Sequence, residues 1–328
     1  MAVLAVKNPT LMDAATSMDP DGKTAAVVEL LSQTNPMLDD MTWIEGNLPT
    51  GHKTTIRTGL PSTVWRQLYQ GVPASKSTRA QVTDTVGMLE ARSEVDKDLA
   101  ELNGNNPEFR LSEGQAFLEK MSQDMTNTVL YGDVTAFPER FTGFAPRYSS
   151  LSAGTGKNII DAGGTGSDNT SIWLVVWGPN TVHGIYPKGS RAGLQHEDLG
   201  LGDAFDGNGD RFRAYMDHWQ WKGGLSVRDW RYVVRIANID VSNLTTETGA
   251  ADLVKLMIRA KGKIPFMGMG RPVFYANSTI KTMLEIQALA KSNNALSIRE
   301  AAGQFDVGFF GIPIKQMDAV LNTEGRVV

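Results

Sequence analysis

The chain has 328 residues, 41% hydrophobic and 21% charged, enough to bury a substantial core as one elaborated domain or two modest ones. Its net charge of −4 is far from the basic excess of a typical nucleic-acid-binding protein. With no cysteine, disulfides, thiolate nucleophiles and cysteine-held zinc are excluded, and the composition fits a reducing compartment.

In chain order, residues 1–22 are small and polar without a steady period, which predicts an extended arm. They lack the basic start and apolar run of a signal peptide, and no window approaches the roughly 18 apolar residues of a membrane-spanning helix. Thr24–Leu31 reads as a short helix, with Pro36 beyond its end. Two strand-like runs follow, Met41–Leu48 and Lys53–Leu60, with Pro49-Thr50-Gly51 as a hairpin tip between them. A third run, Ser62–Tyr69, is bracketed by Gly59-Leu60-Pro61 and Gly71-Val72-Pro73. This region is rich in Thr, Lys and Arg and poor in large apolar residues. Such a hairpin cannot form a core alone, so it must lie on its own body or on a neighbour. Residues 78–102 alternate weakly and then turn charged, ahead of a break at 103–107.

The clearest helix comes next. Ser112 with Gln115 makes a capping box, and Leu118, Met121, Met125 and Val129 share one face to about residue 131. Gly132 stands where a left-handed terminating residue is expected. Residues 149–169 are Gly-, Ser- and Thr-rich and read as a loop. Residues 171–178 (SIWLVVWG) read as a buried strand and 179–211 as loop-rich. The aromatic stretch 212–240 reads as two strands joined at Gly223-Gly224. A helix over 250–260, a strand over 271–275, a helix capped by Ser278, and a strand pair or bent strand over 305–315 complete a mixed α+β pattern without internal repeats.

Motifs that could carry chemistry are weak. SAGTGKN (152–158) resembles a phosphate-binding loop, but Leu151 and Asn158 stand where that motif needs glycine and a hydroxyl residue. Asp206, Asn208 and Asp210 alternate as calcium ligands do, with Asp217 at the twelfth position, yet Arg211 replaces the required glycine. His52, His183, His196 and His218 form no zinc-protease motif, and no nucleophile elbow is present. The plain readings are a Gly-rich loop, a polar turn and an aromatic core. On the hairpin, Trp43, Glu45, His52, Lys53, Arg57, Trp65 and Arg66 are the candidate contacts with a neighbour. The basic ones suit an acidic partner.

Four stretches carry a family resemblance. YGDVTAFPERFTGFAPRY (131–148) resembles the segment after the long helix in phage coat proteins, with Y-G-D, a proline, then F-x-G-F-x-x-R. TDTVGMLEARSEVDKDLAEL (83–102) is similar to the approach to that helix, RPVFYANSTIKTMLEIQAL (271–289) to a strand-then-helix segment, and FFGIPIKQMDAVLNTE (309–324) to the closing strand. They occur in the expected order. The chain thus resembles the major capsid proteins of short-tailed, double-stranded-DNA phages, with the Hong Kong 97-type α+β fold. The resemblance implies an N-terminal arm (1–35), an extended hairpin loop (36–82) and a peripheral domain (83–148) with a spine helix at 112–131. An axial domain (149–300) and a returning C-terminal strand (301–328) would follow; some short-tailed phages carry a permuted connectivity.

The implied function is self-assembly into hexamers and pentamers of an icosahedral head in the host cytoplasm, with no catalysis, no cofactor and no membrane. Implied partners are the chain itself, a scaffolding protein, a portal and a cement or decoration protein, with packaged DNA close by. The alternatives are a nonviral compartment shell of the same fold, a calcium-binding protein, or a hydrolase.

Overall fold

The fold is organised by one strand that both sides of the molecule bury. In the computed structural model, which describes residues 32–101, 106–206, 208–246, 251–289, 296–301 and 304–328, all nine residues of β5 (Asn169–Trp177) are buried. Side chains alternate across a strand, so β5 feeds two cores. Ile172, Leu174 and Val176 pack into one, with Val234 and Ile236 of β9 (Val233–Asp240), Leu253 and Met257 of helix α6 (Leu253–Lys263), and Ile280 of α7 (Ser278–Leu289). Trp173, Val175 and Trp177 pack into the other, against Phe144, Tyr148, Met317 and Val327.

The strands form one open sheet. The remaining elements in order are α1 (Met37–Asp40), β1 (Trp43–Glu45), β2 (Gly51–Gly59), β3 (Thr78–Asp96), α2 (Lys97–Ala100), α3 (Asn106–Tyr131), α4 (Phe144–Arg147), β4 (Ile159–Asp161), β6 (Val182–Tyr186), β7 (Leu194–Phe205), β8 (Arg211–Val227), α5 (Val241–Thr245), β10 (Arg271–Ala276), β11 (Leu296–Ala301), β12 (Gln304–Phe309) and β13 (Ile312–Gln316). Among the described residues the order is β11-β12-β13-β10-β5-β6-β8-β3-β2, with β1 on β6, β9 and β4 branching from β5, and β7 on β8. No described helix is long and apolar enough to cross a membrane.

The long helix differs from its expected form in two ways. It starts at Asn106, six residues before Ser112, with Pro107 in its first turn, where the missing N–H has no partner to lose. It therefore runs about 39 Å. Met121, Met125 and Val129 are buried as expected, but Leu118 is 41% exposed. Phe117 takes its place, stacked on Trp219 of β8 at 5.0 Å. Gly132 ends the helix without a left-handed φ. It is there for space: a Cβ would lie 2.4 Å from the Phe141 carbonyl oxygen and 2.5 Å from that of Thr128.

Other expectations are revised by pairing. β1 joins the body by running parallel to β6, so it is not the hairpin partner of β2. The turn at Pro49–Gly51 closes only a single Leu48–Gly51 bridge. The true partner of β2 is β3, and the third run, Ser62–Tyr69, is the loop between them. The region 179–211 holds β6 and β7. Gly223-Gly224 lies inside β8, where a Cβ on Gly224 would stand 2.5 Å from the Thr85 carbonyl oxygen; the glycine lets β3 cross closely. The strand break comes instead at 228–232. Asn277, not Ser278, caps α7, its Oδ1 accepting from the Ile280 N–H at 2.9 Å. β12 and β13 are the expected strand pair, turning at Phe310-Gly311, both with positive φ. The expected helix at 24–31 and most of the N-terminal arm lie outside the described residues.

Residues 321–328 close the second core. Glu324 accepts from Arg235 Nη2 at 2.9 Å, from the Tyr131 hydroxyl at 2.6 Å, and from Ser171 Oγ. Arg235 also donates to the Tyr148 carbonyl at 2.9 Å. Asn238, at φ 58°, brackets the Val327 backbone with bonds of 2.9 and 2.8 Å.

Candidate functional site

β3 belongs to two ladders. Its residues 86–96 pair with β8 in the body, while its first half, 78–85, pairs only with β2. The second ladder therefore leaves the body as a two-stranded arm, with residues 60–77 looping at its end.

Along the arm, Lys53, Thr55 and Arg57 share one face, opposite Thr83, Gln81 and Arg79. Arg57 directly faces Arg79, and with Thr55 they line a shallow groove. Facing like charges disfavour the hairpin by up to about 1 kcal/mol. Between Gly46 and Thr83 the sequence has Lys53, Arg57, Arg66, Lys76 and Arg79 and no carboxylate, so nothing on the arm offsets them. The end loop is exposed throughout residues 60–76. Leu60, Val64, Trp65, Leu68, Tyr69 and Val72 are each more than half exposed, and Trp65 and Tyr69 wholly so. A small two-stranded unit cannot cover this surface itself. At about 1.5–3 kcal/mol per large apolar side chain, burying the six would release on the order of 10 kcal/mol.

The arm's root is braced by charge. Asp84 is buried and accepts from Arg147 Nη2 and Ser226 Oγ, each at 2.8 Å. Arg147 also reaches the Thr142 and Leu225 carbonyls. His52 sits across the ladder from Asp84 and edge-on to buried His183 at 5.8 Å. Burial, then His52 and Arg228, push His183 down to about 4. Asn47 brackets the Lys53 backbone with two bonds of 2.7 Å, fixing where the arm begins.

The residues expected to make contacts divide into two groups. Lys53, Arg57, Trp65 and Arg66 project from the arm or its loop. Trp43 is partly buried against Trp221 of the body at 6.4 Å, Glu45 accepts from the Gly189 N–H at 2.8 Å, and His52 takes the Asn47 N–H on its Nδ1. These three make contacts within the subunit. Lys76, Arg79, Leu68 and Tyr69 were not singled out from the sequence, although the absence of any carboxylate from 46 to 83 was there to read.

The calcium pattern does not assemble. Asp206 Oδ1 accepts from the Asn208 and Asp210 N–H groups at 2.8 Å and so closes the β7–β8 turn. Asp217 lies six residues along β8, about 20 Å away. It is buried against the spine helix, accepting from Arg110 Nη2 at 2.9 Å and lying 2.9 Å from His196 Nε2. No group of three potential metal-binding side chains occurs among the described residues. The phosphate-loop look-alike is one turn of 3₁₀ helix, Gly154–Asn158, and the Asn158 amide is used on the Arg231 and Val233 carbonyls.

A family model for major capsid protein GP7 matches residues 19–328. The capsid protein in a structure of bacteriophage Epsilon15 is 39% identical over 100% of this chain and 99% of that one, with a TM-score of 0.80. The bacteriophage JBD30 capsid matches at 9% identity over 96% and 99% of the two chains, with a TM-score of 0.48. The SrpI encapsulin complex of Synechococcus elongatus matches at 10% identity over 66% and 92%, with a TM-score of 0.45. A search of curated proteins gave no match.

Proposed function

The chain belongs to the major capsid protein GP7 family, and from that premise we propose that its β2–β3 arm is the element by which subunits of the head hold one another. It is a phage major capsid protein with the Hong Kong 97-type mixed helix-and-sheet fold. The observation that carries the reading of the arm is its end loop, where six large apolar side chains lie uncovered on a strand pair with five cations and no carboxylate. A surface of this kind marks a site of contact with another chain.

In this reading each arm lies on the next subunit. The contact is heterologous, so repeating it closes rings, here of five and six copies. The function is mechanical rather than catalytic. Residues 83–148 serve as the peripheral domain with the spine helix, 149–300 as the axial domain, and 301–328 return to the body. Scaffolding protein, portal and a cement protein are the further partners, the packaged DNA lies close by without sequence-specific recognition, and assembly takes place in the host cytoplasm.

Replacing residues 60–77 by a two-residue Asn-Gly turn tests this. The shortened chain should fold with an unchanged unfolding midpoint yet give no shells by electron microscopy. Normal shells from it would refute the role given to the arm.

A further inference from the structure

We propose that the basic arm of one copy lies strand-against-strand along the acidic outer edge of β7 in a second copy. The proposal rests on the arm being the assembly element and adds the surface that receives it. Among the described residues β7 pairs only with β8 and β2 only with β3, so each presents an open edge. Natural proteins usually guard a long edge strand with lysine, proline or a bulge. The 12-residue β7 has one bulge, between Asp198 and Gly200, but neither lysine nor proline.

Its chemistry is the inverse of the arm's. From Ala192 to Asp210 the chain has Glu197, Asp198, Asp203, Asp206 and Asp210 and no Lys or Arg. Asp198 is engaged by Arg110 at 2.8 Å and Asp203 by Arg213 at 3.0 Å. Glu197 and Asp210 are exposed, with no ion-pair partner among the described residues. Leu199, Leu201 and Phe205 stand exposed between the carboxylates. The edge thus mixes apolar and acidic groups, as the arm mixes apolar and basic ones. Lys53, Arg57 and Arg79 would meet carboxylates, and the apolar end loop would meet leucines.

Sheet order makes the contact intermolecular. β8 runs between β3 and β7, so β2 and β7 border opposite margins of the same sheet. An arm cannot reach its own β7 without crossing that sheet. A margin meeting the opposite margin of the next copy is a head-to-tail contact, which is the kind that generates rings. Nucleic acid would satisfy the arm's cations but leaves the acidic edge unaccounted for.

The absence of cysteine makes the test clean. Thr55→Cys is combined in turn with Glu197→Cys, Leu199→Cys and Leu201→Cys, shells are treated with a short bis-maleimide, and the products are run on denaturing gels. At least one pair should give a ladder of covalent oligomers ending at closed rings. A control, Thr55→Cys with Ile258→Cys on α6, should stay monomeric. If all three β7 pairs link no better than the control in well-formed shells, the proposal is overturned while the arm's role in assembly stands. If chains lacking residues 60–77 build normal shells, it is that role which fails. An Arg57→Glu, Arg79→Glu chain that assembles but releases its DNA would direct the cations to nucleic acid and also overturn the proposal.

Discussion

Glu324→Gln should be among the most damaging conservative changes in the chain. Glu324 and Arg235 side chains are each 5% exposed and 2.9 Å apart. The amide keeps the shape of the side chain but removes the charge that balances the guanidinium. Arg235 would be left with neutral acceptors alone: the Tyr148 carbonyl, the Ser171 hydroxyl and the amide oxygen of residue 324. An uncompensated buried charge of this kind costs about 3–5 kcal/mol, against a typical domain stability of roughly 5–15 kcal/mol. That is on the order of a hundred- to a few-thousand-fold in the folding equilibrium. Replacing both partners, Arg235→Met with Glu324→Met, removes the orphaned charge, although the Tyr131 and Ser171 hydroxyls lose their acceptor, and the double variant should be clearly more stable than the single one. Urea unfolding of unassembled subunits measures both. Tryptophan emission suits the purpose, because Arg235 lies 5.0 Å over the Trp173 ring. A loss below about 1 kcal/mol for Glu324→Gln would refute the reasoning, and so would a double variant as weak as the single one.

Three further outcomes follow from the arm's root. Asp84→Asn strips the charge from a buried acceptor of Arg147 and Ser226, and should cost about 1–3 kcal/mol by urea unfolding. Gly224→Ala places a methyl 2.5 Å from the Thr85 carbonyl, and should cost about 1–3 kcal/mol and raise hydrogen exchange along β3 residues 84–88. His183, held down to about 4 against an ordinary value near 6.5, binds its proton more readily when unfolded. Its contribution is therefore complete above pH 6.5 and is lost as pH falls toward 4, by up to about 3 kcal/mol. His183→Leu should flatten that part of the stability–pH curve, and an unchanged curve would show that the acid sensitivity lies elsewhere.

Legibility followed the range of the forces involved. The buried strand could be read from 171 on because a strand covered on both faces shows a continuous apolar run, here Ile172–Trp177, whereas its polar first residues, Asn169 and Thr170, could not. The spine helix could be read from its period, though not its start, because Pro107 looked like a break and serves as a first-turn residue. β7 reads as loop in the sequence because its glycines at 200 and 202 and its carboxylates at 197, 198 and 203 obscure the alternation of a half-buried strand. Gly223-Gly224 imitated a turn, since sequence does not show that Thr85 passes over it. The contacts that fix the site join residues far apart in the chain: Asp84 to Arg147 and Ser226, and Arg110 to Asp198 and Asp217. The ordered family resemblance supplied what pattern could not, the function itself.

β3 has a mechanical consequence as well. One continuous 19-residue strand is anchored in the body over residues 86–96 and paired only with β2 over 78–85. No joint separates the two parts, so the arm behaves as a cantilever clamped in the sheet. A tilt of about 5° at the clamp moves the far end of a roughly 27 Å lever by only about 2 Å. Larger adjustments between five-fold and six-fold surroundings must then be taken up beyond the lever, in residues 60–77, where the chain makes few bonds to itself and can be reshaped without breaking a ladder. The stiff part sets the spacing between subunits, and the soft end sets the tolerance.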